Sequence, residues 1–435
     1  MDSSTCYPLS GIDWIIHAFD HITRQATGIG NKSQVVLEID GILPIDELTN
    51  HLRAFIKKHP IVHGFSARGL NLKPCWRIPI REYSGSVTCD ALHVDGGTEA
   101  ILSLLSDSLN KPFHSKRVHL AFRIVSNGSK SFLAMTFDHR LFDARGAELF
   151  LNLFHDELCT GKLASHDWQD FHLPHRFGLH EKVIALWALG GSLKPLADIG
   201  SPIGFPISGI RGNSRFVFKK ISFDEQQSFT ILSRSCDKAG YLMLMPYLLA
   251  VSTHCMHRIF EARDLNKGYY LIPVTIDMRK SKTDRNNIFF NHTSFLLFHI
   301  QPNEADSLET LVAVIKRQFY KYIKSEFHQN LCKASYLCQY MPLFMLDKMI
   351  NMWSRNKIGS FCFSYLGESA CSEARFMNCN VRNLFHMPRL PVPPGIGIFF
   401  NHFRNRINTF LSCLDGILSE EEMTRLTHDL TALLS

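Results

Sequence analysis

What the chain most lacks is a long apolar run. Residues 183–193, VIALWALGGSL, are too short and Gly-broken to cross a membrane, and Tyr241 to Phe260 is interrupted by Pro246, His254, His257 and Arg258. Both stretches read as core or interfacial helices. Basic runs with interleaved aromatics are also missing, and nucleic acid is not expected as a partner. The 12 cysteines include no C-x-x-C pair, and no metal site is expected. The opening residues, MDSSTCYPLSG, have neither a positive region nor an apolar core, so no secretory leader is expected. The cysteines then read as reduced thiols of a cytoplasmic protein, in which the sequons at Asn31, Asn127 and Asn291 would have no consequence.

At 435 residues the chain exceeds what one hydrophobic core fills and suggests two units. The composition shifts to Pro, Gly and Ser in residues 196–214, which divides the chain into 1–195, a linker and 215–435. An excess of 47 Lys and Arg over 40 Asp and Glu is spread along the whole length. It suits an anionic partner in general, whether coenzyme A, an acidic carrier protein or a membrane surface touched peripherally, and chooses none of them.

Residues 131 to 150, SFLAMTFDHRLFDARGAELF, carry the chemistry. Ser131 to Phe137 is short, apolar or β-branched, and follows the turn signal Asn127-Gly128-Ser129, which predicts a buried strand. From Arg145 onward Leu149, Phe150, Leu153, Phe154 and Leu158 recur at helical spacing. His139 therefore stands at a strand end, four residues before Asp143. The spacing alone is weak, since 22 histidines give roughly one His-x-x-x-Asp by chance. His166 and Asp170 share it in the polar stretch SHDWQDFH, with no strand before them, and read as a surface coincidence.

The strand, motif and helix together resemble the chloramphenicol acetyltransferase-like superfamily, whose members carry HHxxxDG or DHRxxDG after a core strand. FDHRLFDARGAELF is especially similar to the dihydrolipoamide acyltransferase version, with Ala144 where the family has Gly. A second stretch, IPVTIDMRKSKTDRNNIFFNHTSFLLFHI, resembles the V-P-V-x-x-x-R strand, basic loop and Asn-containing strand start of condensation-type acyltransferases. Here these are Ile272-Pro273-Val274 through Arg279, then Asn286 and Asn287, then a strand over Thr293 to Ile300. The opening PLSGID and the turn Asn110-Lys111-Pro112-Phe113 are similar to family habits too. The DFGWG motif of plant BAHD acyltransferases is missing, which leaves the wax ester synthase, alcohol acyltransferase and condensation-domain side. The implied fold is α/β with two lobes, each a mixed sheet flanked by helices, and an active-site channel between them. One chain supplies both lobes, so a monomer is expected.

Elsewhere the patterns predict a helix starting near Ser10 or Asp13, a strand over Gln34 to Ile39, and a helix stopped by Pro60. The residues after 87 read as a polar connection to a helix near Glu99. His59 and His63 read as buried helix-end residues. Lys316, Arg317, Lys321 and Lys324 read as a solvated helix face. Ser419 and Glu422 are set to form a capping box.

The resemblance implies acyl transfer from coenzyme A or a carrier-protein phosphopantetheine thioester to an alcohol or amine. A fatty acyl group is one candidate, since 33 Phe and 13 Met can line an apolar tunnel. A neutral imidazole suits the removal of the acceptor's proton, and His139 is the expected base. Asp143 is expected to pair with Arg279 and hold the loop, and Asp138, Asn286 and Asn287 are candidate channel-lining residues. No nucleophilic serine or cysteine and no permanently bound cofactor is required. The alternative is a catalytically silent condensation-fold module that binds a carrier protein or lipid.

Overall fold

The run SFLAMTF is apolar on both faces, so it needs cover on both sides, and the fold provides it. In the computed structural model, which describes residues 5–78, 88–160, 177–198, 200–207, 214–281, 285–353, 357–371 and 375–435, this run is the strand Lys130–Asp138. It is fourth in a six-stranded sheet ordered Arg375–Phe376, Cys379–Pro388, Lys32–Asp40, Lys130–Asp138, Leu120–Ser126, Thr88–His93. Lys32 faces Asp138 and Asp40 faces Lys130 in antiparallel register. On one side Leu133, Met135 and Phe137 pack with Leu52 and Phe55 of the helix Ile45–Lys57 and with Leu149, Phe150 and Phe154 of the helix Ala144–Thr160. On the other side Phe132 and Ala134 meet Ile101 and Leu105 of the helix Thr98–Leu109, together with Phe385 and Phe410.

The second sheet runs in the order Thr293–Ile300, Tyr270–Asp277, Cys362–Glu368, Ile396–Phe403, Arg406–Leu414, Phe216–Ser222. Its core is filled by the helices Leu244–Ala262, Leu308–Lys324 and Glu420–Leu434. Both sheets mix parallel and antiparallel pairs, which is the two-lobed α/β class the sequence implies. The expected capping box of Ser419 with Glu422 forms, and of the two candidate caps of the first helix Ser10 is the N-cap, in a capping box with Asp13. No single described helix is long and apolar enough to cross a membrane. The helix Leu244–Ala262 is mostly core, whereas the helix Leu179–Asp198 leaves Val183, Ile184, Leu186 and Trp187 exposed.

The two sheets do not follow the expected division of the chain. The strand Cys379–Pro388 leaves the second half and pairs with Lys32–Asp40 of the first sheet, from Asn380 opposite Asp40 to Pro388 opposite Ser33. Its sequence, CNVRNLFHMP, has too little apolar alternation to read as a strand. Asn380 and Arg382 are exposed, but Asn383 and His386 are buried against named partners: Asn383 and Asn408 exchange amide hydrogen bonds of 2.9 Å, which ties the returning strand to the second sheet. The polar connection after residue 87 contains an edge strand, Thr88–His93, parallel to Leu120–Ser126, whose exposure explains its polar composition. Nor is the stretch 196–214 a free linker along its described part. Residues to Asp198 are helical, and Ile203 and Phe205 are buried, with Ile203 N donating to the Tyr269 carbonyl.

One expectation about cysteine is corrected. Cys6 and Cys75 are joined as a disulfide, while ten described cysteines are free. Thr5–Pro8 and Pro74–Ile78 pair antiparallel in a small three-stranded sheet, which brings together two residues whose separation of 69 hides them from any spacing rule.

Candidate active site

His139 sits where the central strand stops. The Asp138 carbonyl accepts from Leu141 N and Phe142 N, which closes a tight turn, and His139 N donates to the Asn31 carbonyl at 3.1 Å. The imidazole is half-buried at the end of a strand held on both sides, so its position is set by rigid neighbours. Across the lobes, the segment 141–143 is stitched to Phe290 by backbone bonds, Phe290 N to the Leu141 carbonyl and Asp143 N to the Phe290 carbonyl. Phe290 adopts φ of 67°, a left-handed conformation that costs a non-glycine residue roughly 1–3 kcal/mol. The helix then starts at Ala144 without left-handed backbone, so alanine fits where the resembled family has glycine. The close approach falls two residues later: a Cβ on Gly146 would lie 2.1 Å from the Ile288 carbonyl oxygen.

Asp143 points away from His139. Its oxygens accept from Arg279 Nη2 at 2.8 Å and Nη1 at 3.0 Å, a bidentate pair whose side chains are 2% and 0% exposed. Backbone N–H groups of Gly146 and His292 donate to the same carboxylate at 2.7 and 2.8 Å. Burial alone would raise this carboxyl, but Arg279 and the surrounding donors hold it below the ordinary carboxylate value. Arg279 also donates to Asp277 and to the Asn287 carbonyl. Residues 136 apart thus meet, with all three guanidinium nitrogens and both carboxylate oxygens hydrogen-bonded.

The imidazole's own partner was not singled out from sequence. His139 Nδ1 lies 3.2 Å from Asn291 Oδ1, while Asn291 Nδ2 faces the His139 carbonyl at 3.1 Å and Asp13 Oδ1 at 3.2 Å. Asp13 Oδ1 also accepts from Asn291 N at 2.9 Å, and Asp13 Oδ2 accepts from Ser10 N and Oγ at 2.8 and 2.6 Å. Burial pushes the Asp13 carboxyl up, against the pull of those Ser10 and Asn291 donors. Ser10 and Asp13 are the two candidate caps in the sequence; Ser10 is the N-cap, Asp13 is the reciprocal member of its capping box, and the same carboxylate also reaches the second lobe. Asn291 is visible in the sequence as a sequon, and the asparagines expected at the strand start are Asn286 and Asn287. The strand begins at Thr293, so the asparagine at its entrance is Asn291.

Asn291, Asp13 and Asn287 border a cavity of about 240 Å³ shared with Tyr7, Phe290 and Tyr336. Asn286 and Asp138 are not among the residues lining it. Asp138 is instead a buried anchor, receiving Arg140 Nη2 at 2.6 Å and facing His119 Nδ1 at 3.0 Å, while His119 Nε2 reaches the Gly64 carbonyl. Correcting its expected role, the carboxylate holds the turn from below, where Arg140 and His119 compensate its charge. His59 is a buried helix-end residue facing the Phe55 carbonyl, its imidazole pushed down by burial, and His63 is buried as well. His166 and Asp170 lie outside the described residues.

Two mixed six-stranded sheets, with His139 at the end of the central strand of the first, make a fold shared with condensation domains and with an acetyltransferase of solved structure. Among solved structures, the chain is similar to the trichothecene 15-O-acetyltransferase TRI3 of Fusarium sporotrichioides, with a TM-score of 0.72 at 9% identity over 99% of this chain and 95% of that one. It is similar to the first condensation domain of the CDA synthetase, with a TM-score of 0.68 at 13% identity over 100% and 97% of the two chains. The starter condensation domain of rhizomide synthetase, in complex with C8-CoA and Leu-SNAC, gives 0.65 at 12% over 99% and 94%. No protein-family model and no curated relative matches the chain. At these identities the likeness is one of fold.

Proposed function

We propose that the protein is an acyltransferase that moves an acyl group from a coenzyme A or carrier-bound phosphopantetheine thioester to an alcohol or amine, with His139 as general base. The observation that carries this reading is the orientation of the Asn291 amide. Its nitrogen faces two groups that can only accept, Asp13 Oδ1 and the His139 carbonyl, so its oxygen must be the atom facing His139 Nδ1. Nδ1 then carries the ring proton, and Nε2 presents its lone pair with no hydrogen-bond partner among the described residues.

In this mechanism the acceptor's O–H or N–H proton passes to Nε2 as the heteroatom attacks the thioester carbonyl carbon. The tetrahedral intermediate collapses, the C–S bond breaks, and the imidazolium returns the proton to the leaving thiolate. Ester or amide and free thiol result, with no acyl-enzyme. One chain supplies His139 from the first lobe and Asn291 from the second, in keeping with a monomer. Support comes from the shared fold with an acetyltransferase and with condensation domains, one of them bound to C8-CoA.

His139→Ala removes a base worth about 10²–10⁴-fold and is expected to lower transfer by at least about a hundredfold with the chain still folded. Thioester turnover read by free-thiol release, beside circular dichroism, checks this. Retention of more than about a tenth of the wild-type rate contradicts a general base at this position.

A further inference from the structure

The cavity beside Asn291 has a composition that selects its occupant. Its apolar surface comes from Tyr7, Phe177, Met278, Phe289, Phe290 and Tyr336. These rings are fixed against one another, Tyr7 stacked on Phe290 at 4.8 Å and Phe177 edge-on to Tyr336 at 5.3 Å. No Lys or Arg is among the described residues that line it. The nearby Arg279 is already engaged by Asp143, Asp277 and the Asn287 carbonyl. An anionic group would therefore lose its hydration without a cation to replace it. An ammonium is no better served, because Asp13, the one carboxylate in the lining, already accepts from four donors on Ser10 and Asn291.

His292 presents a polar atom to the lining, beside the hydroxyls of Tyr336 and Thr293. His292 Nε2 lies 3.0 Å from the Phe289 carbonyl, which can only accept, so this nitrogen carries the proton. Nδ1 then holds a lone pair and has no hydrogen-bond partner among the described residues. Burial, and after it the charge of Arg279, push this imidazole down and keep it neutral. The described lining thus offers aromatic walls, an imidazole acceptor on His292, the hydroxyls of Tyr336 and Thr293, and no free charge.

We infer that this cavity holds the carbon skeleton of the acyl acceptor, that the acceptor is a compact, uncharged, carbon-rich alcohol, and that His292 Nδ1 accepts a hydrogen bond from one of its hydroxyls. The inference rests on the acyl-transfer reading for the word acceptor, and on the cavity alone for the ligand class. A space of about 240 Å³ lies just under the range usual for drug-sized ligands and suits roughly a dozen non-hydrogen atoms. Asn291, whose Oδ1 faces His139 Nδ1, forms one wall of the cavity, so the cavity adjoins the segment that positions the base. His292 acts as a specificity residue in this arrangement.

The test uses one skeleton with three head groups: 1-adamantanol, 1-adamantanecarboxylate and protonated 1-adamantylamine, titrated calorimetrically into the full chain at pH 7.5 without any thioester. The alcohol is expected to bind at one site, and the two ions at least about thirtyfold more weakly, because each buries an uncompensated charge. His292→Phe is expected to weaken the alcohol about tenfold by leaving its hydroxyl unpaired. Equal binding of the three compounds, preference for an ion, no binding of the alcohol at millimolar concentration, or an alcohol affinity unchanged in folded His292→Phe would each overturn the inference. The head-group series needs only the wild-type chain and decides the ligand class even if the variant does not fold. A failure of the catalytic reading shows in the turnover of His139→Ala, and a failure of the pocket shows in binding to the wild-type chain.

Discussion

Two buried carboxylates, Asp143 and Asp13, compete for the role of partner to His139, and sequence distance ranks them wrongly. Asp143 is four residues from His139 and looks like the partner that orients an imidazole, yet Arg279 takes both its oxygens and turns it into a clamp between lobes. Asp13 lies far upstream on the first helix, and it is the carboxylate that reaches His139, through the amide of Asn291. The difference follows from what each can contact. A carboxylate at the start of a helix accepts from that helix's own N–H groups, as Asp143 does from Gly146, and its remaining lone pairs face whatever packs on the helix end. Asp13 completes the capping box of its helix by accepting from Ser10 N with one oxygen, and its other oxygen is left over for the opposite lobe.

The sharpest way to break this comparison is to unfasten the clamp. Asp143→Asn and Arg279→Gln each leave a buried group without its counter-charge and are expected to cost about 3–5 kcal/mol in denaturant melts. The double variant is expected to cost clearly less than the sum, because one interaction is lost twice in the singles. Additive costs would mean that the two side chains are not coupled. Acid adds a second readout. Asp143 is held below its ordinary value in the folded chain, so its contribution is complete above the ordinary carboxylate range and is lost as pH falls toward the folded value. Asp143→Asn lacks that limb of the stability curve.

The parts of the site that could be read from sequence are those in which a local pattern coincides with a local structure. SFLAMTF announces a buried strand by composition, the period change after Arg145 announces a helix, and His139 falls between them whatever else the chain does. Arg279 became legible through the resemblance of its strand and loop. Asn291 and His292 did not, because nothing in FFNHTSF distinguishes a site from a strand entrance. Their roles come from the left-handed turn at Phe290 and from a partner on the first helix. The strand Cys379–Pro388 escaped for a related reason: its asparagines and histidine look solvent-seeking until Asn408 and Glu148 are placed opposite them. Polar residues satisfied by distant partners carry no local signature.

Asn291 gives the next largest effect. Asn291→Ala deletes the acceptor for Nδ1–H and frees the ring to take either tautomer, which is expected to cost about tenfold to a hundredfold in transfer, part of what a positioned base supplies. The loss should fall on kcat more than on KM, and the pH–rate profile should move, since the population of imidazole with a lone pair at Nε2 changes. A melt within about 1–3 kcal/mol of wild type would separate this from unfolding. An unchanged pH profile with a lowered rate would leave Asn291 as packing.

The smallest effect belongs to Asp13, and it tests how far the chain of hydrogen bonds extends. Asp13→Asn keeps an oxygen that can still accept from Asn291 N and Nδ2, although its new amide nitrogen faces the Ser10 N–H that the carboxylate used to receive. The cap weakens and the Asn291 amide stays oriented, so transfer is expected to fall no more than about threefold. Asp13→Ala removes the acceptor that distinguishes the two ends of that amide. The group is then free to flip and present Nδ2 to the imidazole, which would place the ring proton on Nε2 and block the base. Its rate and pH profile are therefore expected to approach those of Asn291→Ala, measured side by side with the same thioester and acceptor. If Asp13→Ala instead keeps the wild-type profile, the His139 carbonyl alone orients the amide, and Asp13, like Asp143, only holds the fold together.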